Sequence, residues 1–263
     1  MVRVGNYNVR YVTAEEDEQN NWDKRKTRVV RSIRDNAFDV FGLNECSDAI
    51  KTYLSEQLAD TYTIRYFNPN VSSGSGSSSG ESMGLAYRKD MFTLSGWHYF
   101  WLGSNPSAMT VNDGTKKRGG CCAVLTSGRT GTRLFVMVTH GCLDAAARAQ
   151  YAPQYKQMEQ QYNPNGYPSF FVGDMNAQPS DPATVVYRQW WNDAYYSNCL
   201  KYGPYCTFNG FNLERDMYTH QNHLDYVYYR SATPLLYVCN DKLYDGYYAS
   251  DHLPVYADFK INQ

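Results

Sequence analysis

The sequence has almost no net charge, no long apolar run and no cysteine pair of the kind that binds zinc. Its 25 Lys and Arg residues stand against 26 Asp and Glu residues, which gives a net charge of −1. Broad binding to duplex nucleic acid usually needs a basic surface, so this balance argues against that class while leaving room for a small basic patch. No apolar run approaches the roughly 18 residues that cross a bilayer, and mean hydropathy is −0.60. We therefore expect no membrane span.

The cysteines do not form a metal-binding or disulfide pattern. There are seven of them, Cys121 and Cys122 are adjacent, and no two are spaced as CxxC. We interpret them as single buried thiols. A secretory signal peptide is also not expected, because Arg3 lies where its apolar segment would have to begin. The compartment stays open between the cytoplasm and a mature exported form.

A chain of 263 residues with 16% aromatic residues can bury a sizeable core. We predict a single domain over residues 1–263. Residues 72–80 are all Ser or Gly, a composition typical of a flexible coil. We interpret this stretch as a loop inside the domain, either a lid over the functional site or a plain insertion.

Short apolar or alternating runs predict most of the strands. These runs lie at 2–9, 39–43, 83–87, 121–126, 134–139, 169–172, 224–229 and 253–261. Apolar spacing predicts one helix over 23–36 capped by Asp23, and a second helix within 143–162 that Pro153 starts or kinks. Strands and helices alternate without a strict βαβ rhythm, which favours mixed sheets.

Polar residues lie at or near one end of almost every predicted core strand. In chain order they are Asn8, Glu45, His140, Asp174, Asn176, Asp225, Asp251 and His252. Each alone could be a cap or a turn residue. Rigid strands that each present such a group at one end are the usual framework of a functional site. The ordered set therefore indicates a site built from strand ends.

The set resembles the endonuclease/exonuclease/phosphatase superfamily, whose fold is DNase I-like. The matching motifs are NYNVR (6–10), LNE (43–45), TH (139–140), GDMNAQP (173–179), HLDYV (223–227) and SDHLPV (250–255), with NWDKRK (21–26), YRKDMF (87–92) and TFNG (207–210) also similar. The resemblance covers essentially the whole chain and implies an α/β fold, a four-layer α-β-β-α sandwich with two mixed β-sheets. One departure is Asn44, where the family more often has glutamine before the glutamate.

The resemblance implies a divalent-metal-dependent hydrolase of phosphate esters. Glu45 would be the direct metal ligand, with Asn8 beside it and Asp251 as a second carboxylate near the metal. This oxygen-rich set favours Mg²⁺ or Mn²⁺ over zinc.

The same resemblance implies the catalytic and phosphate-binding roles. Asp174 would orient or deprotonate the attacking water, and His252 would contact the phosphoryl oxygen while Asp225 holds its tautomer. Which of Asp174 and His252 is the base stays open. The remaining catalytic residues would be His140, as a second phosphate-contacting or acid group, and Asn176. The residues expected at the substrate phosphate are Asn176 and His252, joined by Arg118, just before the strand at 121–126, and Arg148, eight residues after His140. Arg10 and Arg88 are further candidates, and the alternative for each arginine is a place on the surface.

The substrate class is wide. Members of this superfamily act on nucleic acids, nucleotide cofactors and small phosphoesters, and the weak net charge favours a small molecule, a nucleotide or a short nucleic acid, whose bases tyrosines could stack. No feature indicates an obligate protein partner. The alternatives are a catalytically silent binding module of the same fold and a carbohydrate-active protein that uses paired carboxylates.

Overall fold

Two mixed β-sheets form the centre of the computed structural model, which describes residues 1–74 and 80–261. In chain order the strands are β1 (Val2–Asn8), β2 (Val40–Cys46), β3 (Tyr62–Phe67), β4 (Ser82–Arg88), β5 (Phe92–Trp101), β6 (Gly119–Ser127), β7 (Arg133–His140), β8 (Ser169–Asp174), β9 (Asn192–Asp193), β10 (Leu200–Tyr202), β11 (Asp225–Arg230), β12 (Ala232–Cys239) and β13 (Val255–Ile261). One sheet has the order β10-β12-β13-β1-β2-β4-β3 and the other β5-β6-β7-β8-β11-β9. Each contains parallel and antiparallel pairs.

Helices cover the outer face of each sheet. They are α1 (Trp22–Asn36), α2 (Asp48–Gln57), α3 (Ala145–Tyr162) and α4 (Pro182–Arg188). Val29 and Ile33 of α1 pack in one cluster with Phe41 of the seven-stranded sheet. Tyr155 of α3 packs in another cluster with Phe171 of the six-stranded sheet. The architecture is therefore the expected four-layer α-β-β-α sandwich.

The main core lies between the two sheets. Val4, Val136 and Phe259 are fully buried there, and burying such a side chain contributes about 1.5–3 kcal/mol. The sheets approach so closely at Gly42 that a Cβ there would lie 2.9 Å from Val138. Glycine at this point permits the close packing that fixes one sheet against the other.

All eight predicted strands are present, with ends that differ by a few residues. Strands β3, β5, β9, β10 and β12 and helices α2 and α4 were not predicted. In β5 most side chains are partly or fully exposed, so the apolar signal is weak. In β12, Pro234 coincides with a register shift, and proline inside a run argues against a strand in sequence.

The start of α1 differs from the prediction. The N-cap residue is Asn21 and the helix begins at Trp22, so the predicted cap, Asp23, lies inside the first turn. An acidic side chain is also favourable there, since it faces the positive end of the helix dipole.

The predicted second helix, α3, begins after Asp144, whose carboxylate accepts a hydrogen bond from the Ala147 N–H. Pro153 lies inside this helix and does not start it.

The structure also bears on the predictions for the cysteines, for a membrane span and for the Ser/Gly loop. All seven cysteines are free thiols, and six of them are buried. Among the described residues, no helix has the length and apolarity that a bilayer crossing requires. Residues 75–79 of the predicted Ser/Gly loop lie outside the described residues, so the choice between a lid and an insertion stays open.

A buried histidine lies in an aromatic cluster behind the start of β11. His223 is 1% exposed, and its Nδ1 lies 2.7 Å from the carbonyl oxygen of Tyr205. The rings of Tyr195, Tyr205 and Tyr226 surround it at 4.8–5.1 Å. Burial lowers the pKa of His223 to about 4.

This low pKa makes His223 a source of acid sensitivity. The unfolded chain binds a proton at His223 below about pH 6.5, whereas the folded chain does so only below about pH 4. Stability from this group is therefore lost as the pH falls through that window, by about 3 kcal/mol in total. We expect the stability difference between wild type and His223→Gln to shrink by about that amount from pH 7 to pH 4 in urea titrations.

The comparison with the variant is needed because another group acts in the opposite direction. Burial raises the pKa of Asp193 to about 7. Because the folded state therefore favours the protonated carboxyl, this group increases the stability of the folded protein as the pH falls. Asp193 is present in both proteins, so its contribution cancels in the difference. A difference that does not change with pH would contradict the assignment to His223.

Candidate active site

The site lies where the ends of four strands meet, because two parallel pairs place their carboxyl ends at the same edge. In the pair β1–β2, Asn8 is in register with Asn44, the residue before Glu45. In the pair β7–β8, His140 is in register with Asp174. Antiparallel β11 begins at Asp225, which pairs with Asp174. The sheet register therefore brings these polar residues to one end of the sandwich.

Asp174 is at the centre of the site. One of its carboxylate oxygens, Oδ2, accepts a hydrogen bond from Asn8 Nδ2 at 3.0 Å. The same oxygen lies 3.5 Å from His140 Nε2 and 3.6 Å from His252 Nε2. Burial opposes the charged form, but the two imidazoles outweigh it and hold the pKa of Asp174 well below its usual range. Asp174 is therefore a carboxylate at neutral pH.

His252 is held by a buried carboxylate. Its Nδ1 lies 2.8 Å from Asp225 Oδ2, which also accepts a hydrogen bond from Thr207 Oγ1 at 2.8 Å. Burial would lower the pKa of His252, yet Asp225 and Asp174 raise it well above the usual value. These carboxylates therefore favour the protonated imidazole, whose Nε2 lies 3.6 Å from Asp174 Oδ2.

Glu45 occupies a strained position at the end of β2. Its φ is +62°, in the left-handed region that non-glycine residues rarely adopt. Its Oε1 accepts from Asn8 Nδ2 at 2.9 Å, and its Oε2 accepts from the Tyr11 N–H at 3.0 Å. Burial opposes the charged form, but His140, His252 and these donors lower the pKa of Glu45. Backbone strain that persists in this way is common at functional sites.

Asp251 is a further buried carboxylate, close enough to Glu45 for their charges to interact. Its Oδ1 accepts from Ser250 Oγ at 3.3 Å, and Arg10 Nη1 is 3.6 Å from its Oδ2. Burial raises the pKa of Asp251 to about 6, and the charge of Glu45 adds to this, while His252 and the arginines Arg10 and Arg25 oppose it. The site thus holds several buried carboxylates close together.

His140 has a carboxylate partner that the sequence analysis missed. Its Nδ1 lies 3.7 Å from Glu81 Oε2, and Lys116 Nζ lies 3.7 Å from the other oxygen of Glu81. The two histidines of the site therefore each face a carboxylate through Nδ1 and present Nε2 to Asp174. No sequence signal indicated Glu81, which follows the Ser/Gly stretch directly.

Two asparagines beneath the site were also missed. Asn44 Oδ1 accepts from the Asp174 N–H and from Asn6 Nδ2, both at 3.0 Å, while Asn44 Nδ2 donates to the Thr139 carbonyl at 2.7 Å. Asn6 Nδ2 also lies 3.2 Å from Asp225. Asn44 thus ties β2 to β7 and β8, using both ends of its amide. The signal available in sequence was a polar residue inside the apolar strands, where a partner is required.

Of the remaining predicted residues, Asn176 and Arg118 lie at the site. Asn176, with φ +50°, follows Asp174 and donates its N–H to Asp174 Oδ1 at 2.8 Å and its side-chain amide to the Gly141 carbonyl. Arg118 lines a small cleft of about 200 Å³ with His140, Glu81, Lys116 and Lys117. Its Nε pairs with Asp113 at 3.0 Å.

Two arginines are engaged elsewhere. Arg148 donates to the carbonyls of Cys142 and Leu143 and pairs with Asp181 at 2.8 Å. Arg88 lies at the opposite end of β4 from Ser82 and pairs with Asp90. Arg148 therefore braces the segment after His140, and Arg88 is not brought to the site.

The site contains donor groups that fit a metal ion. Ligand atoms of Glu45, His140 and Asp174 lie within 4.8 Å of one another, and so do those of Asp174, Asp225 and His252. Of the predicted ligands, Glu45 is in the first group. Asn8 presents Nδ2 to the carboxylates, and its Oδ1 accepts from the Arg10 N–H. Buried carboxylate oxygens are the donors that a hard divalent cation prefers, so the site fits such an ion.

Comparison with known proteins agrees with the fold and the motifs. A model of the Endonuclease/Exonuclease/phosphatase family matches residues 5–252, so the chain belongs to this family. Its members are phosphoesterase hydrolases. No curated protein sequence matches the chain.

Solved structures of other family members share the fold. An endonuclease/exonuclease/phosphatase from Bacteroides vulgatus is 23% identical with a TM-score of 0.88, and the match covers 99% of both chains. A mannosyl-6-phosphatase from Bacteroides thetaiotaomicron is 20% identical with a TM-score of 0.84, covering 99% of this chain and 100% of that one. D. rerio TDP2, complexed with a single-strand DNA product, is 18% identical with a TM-score of 0.71, covering 98% of both. The fold is thus shared by a phosphatase and by a protein that holds DNA.

Proposed function

We propose that this protein is a hydrolase of phosphate esters that depends on a divalent metal, Mg²⁺ or Mn²⁺. The observation that carries the proposal is the convergence of Asp174 with two imidazoles and Glu45 in one buried cluster. Phosphate ester hydrolysis needs an oriented water, positive charge on the phosphoryl oxygens and help for the leaving oxygen. The cluster contains side chains for each of these tasks.

Glu45 is the proposed metal ligand, with Asp251 and Asn8 supporting it. Two hydrogen bonds hold the Glu45 carboxylate in place, so one orientation is already selected. A bound divalent cation would supply charge for the phosphoryl and leaving oxygens. The oxygen donors favour Mg²⁺ or Mn²⁺. Each of the two histidines has a carboxylate partner at Nδ1.

The other residues take the roles that their positions allow. Asp174 orients the attacking water and accepts its proton, since its Oδ2 lies 3.5 and 3.6 Å from the two imidazole Nε2 atoms. His252 donates to a phosphoryl oxygen, and Asp225 keeps its tautomer and orientation. His140 donates from the opposite side, and Asn176 positions the phosphate beside Asp174.

The basic groups near the site are few, which favours a compact substrate. Arg118, Lys116 and Lys117 line the cleft beside His140, and we propose that Arg118 contacts the substrate phosphate, with Arg148 bracing the segment behind it. The net charge of −1 argues against broad binding to duplex nucleic acid. We therefore propose a small phosphoester, a nucleotide or a short single strand as the substrate. The names of the structural relatives, a mannosyl-6-phosphatase and a protein complexed with a single-strand DNA product, support both a sugar phosphate and a short single strand.

Metal removal tests this proposal directly. We expect hydrolysis of bis-(p-nitrophenyl) phosphate or p-nitrophenyl phosphate to stop in EDTA and to return when Mg²⁺ or Mn²⁺ is added in excess. The ratio of diester to monoester turnover would separate a nuclease-like from a phosphatase-like enzyme. The circular dichroism spectrum in EDTA is the control, since loss of the fold would also stop turnover.

Two outcomes would contradict the proposal. The first is turnover that EDTA leaves unchanged, which would remove the metal from the reaction. The second is no turnover on a panel of nucleotides, oligonucleotides and sugar phosphates, together with binding of the same compounds. That result would identify a catalytically silent binding module.

A further inference from the structure

The motif NWDKRK at residues 21–26 has no role in the proposed reaction, yet it places a buried cation beside the site. Arg25 is 1% exposed, although it belongs to the amphipathic helix α1. Among residues 1–74 and 80–261, no carboxylate lies within 4 Å of its guanidinium. Burying an arginine without an ion-pair partner is costly, and burial lowers the pKa of Arg25 to about 10. Such a group requires strong compensating contacts.

Those contacts are backbone carbonyls from three segments. Arg25 Nη1 donates to the Val9 carbonyl at 2.5 Å, and Nη2 donates to the Arg10 carbonyl at 2.5 Å. Nε donates to the Asn20 carbonyl at 2.9 Å, and a longer contact of 3.5 Å reaches Ala249. The planar guanidinium thus joins the loop after β1, the turn before α1 and the segment before Ser250 at one point.

Two of the three joined segments, the loop after β1 and the segment that leads to Ser250, carry groups that contact a carboxylate of the site. The Tyr11 N–H donates to Glu45 Oε2 at 3.0 Å, and Arg10 lies 3.6 Å from Asp251. On the segment that follows Ala249, Ser250 Oγ lies 3.3 Å from Asp251 Oδ1 and 2.8 Å from the Asn8 carbonyl oxygen.

The loop that Arg25 holds is also strained. Arg10 has a φ of +56° and Glu45 a φ of +62°, both in the left-handed region. Left-handed conformations of non-glycine residues persist only when surrounding contacts enforce them. The two short hydrogen bonds from Arg25 to the Val9 and Arg10 carbonyls act directly on this loop.

We propose that Arg25 is a positioning residue for the metal site, which fixes the loop of residues 9–11 so that the carboxylates of Glu45 and Asp251 are preorganised to receive a divalent cation. The proposal rests on the proposed function. Without Arg25 the loop would sample other conformations, and metal binding would have to supply the free energy of ordering it. The expected consequence is weaker metal binding through a less ordered loop. The effect is indirect, since Arg25 touches neither the metal ligands nor the reacting groups.

Lysine cannot replace arginine in this role. The guanidinium offers five N–H donors in a planar fork, whereas the ammonium offers three donors from one nitrogen. Arg25→Lys therefore keeps the charge and loses the simultaneous contacts with separate segments. Arg28, one turn further along α1, is a matched control. It is also buried, donates to the Gln19 carbonyl and lies over the Tyr247 ring.

The test compares Mn²⁺ binding and stability in wild type, Arg25→Lys and Arg28→Lys. We expect the Mn²⁺ dissociation constant of Arg25→Lys, from electron paramagnetic resonance titration, to rise about 10-fold or more, the usual cost of removing a group that orients metal ligands. Arg28→Lys should bind Mn²⁺ as wild type does. The melting temperature in EDTA should fall in both variants, and saturating Mn²⁺ should restore most of the turnover of Arg25→Lys.

The outcomes separate the inference from the proposed function. If wild type binds no Mn²⁺, the proposed function fails. If wild type binds Mn²⁺ and Arg25→Lys binds it equally well, only the role of Arg25 is overturned. Equal weakening in both arginine variants would also overturn it, since that would reflect general destabilisation. Should Arg25→Lys fail to fold, Arg25→Gln takes its place, and failure of both to fold would overturn the role as well.

Discussion

Replacing Glu45 with glutamine is expected to reduce metal-dependent turnover by about 10³-fold, the upper range for losing one preorganised charged group. Glutamine has nearly the same shape and keeps one oxygen to accept from Asn8 or the Tyr11 N–H. It removes the negative charge that would bind the cation. The loss should therefore appear both in the metal concentration needed for activity and in the turnover at saturating metal.

The stability of this variant separates a site effect from a folding effect. The ionised Glu45 carboxylate is favoured in the folded protein, because His140, His252 and two hydrogen-bond donors lower its pKa. Glutamine keeps the shape and loses this charge, so we expect the melting temperature of Glu45→Gln in EDTA to fall slightly while the protein stays folded at the assay temperature. Glu56→Gln, the same change on the exposed surface of α2, is the control and should keep full turnover. Full activity of Glu45→Gln would remove Glu45 from the metal site.

Replacing His252 with glutamine should lower the turnover at saturating substrate by about 10²–10⁴-fold, the range for losing a general acid–base group. Glutamine can still donate to Asp225, but it carries no positive charge and transfers no proton. We expect the Michaelis constant to change less than the turnover, because the imidazole acts mainly in the transition state. Kinetics with both p-nitrophenyl substrates would measure this.

Two further variants sharpen this test. His98→Gln changes an exposed histidine on β5 and should leave turnover unchanged. Asp225→Asn should reduce turnover and change its pH dependence, because the carboxylate raises the pKa of His252. If His252→Gln retains turnover near wild type, then His140 and Asp174 are the important groups and the role of His252 is wrong.

The strand ends were largely predictable from sequence, and so was the family. Each buried strand gives a local apolar signal, and the residue after it is fixed by the chain, so the amino-acid order alone places Glu45, His140 and Asp174 at strand ends. The motifs around Asp174 and His252 then indicated the family, and the family model agrees. Exposed or interrupted elements such as β5 and β12 escaped prediction because their pattern is mixed.

The partners of the site residues were not predictable. Glu81 faces His140, and Asn44 accepts a hydrogen bond from the Asp174 N–H, only because the pair β2–β4 of one sheet packs against the pair β7–β8 of the other. In sequence, Arg148 was a candidate to bind the substrate phosphate. In the structure, its guanidinium donates to the Cys142 carbonyl, in the segment after His140, and pairs with Asp181. The role of Arg25 emerged in the same way, since its contacts join segments that are distant in the chain.

The sequence by itself determined which residue types follow which strands, and therefore the family and the chemistry to expect. Only the tertiary structure decided which side chains face each other, which carboxylates are buried together and which arginines are already engaged. The physical reason is that strand patterning and turn chemistry are local properties of the chain. Hydrogen bonds and electrostatic interactions between side chains depend on distances of a few ångströms that only the packed sheets set.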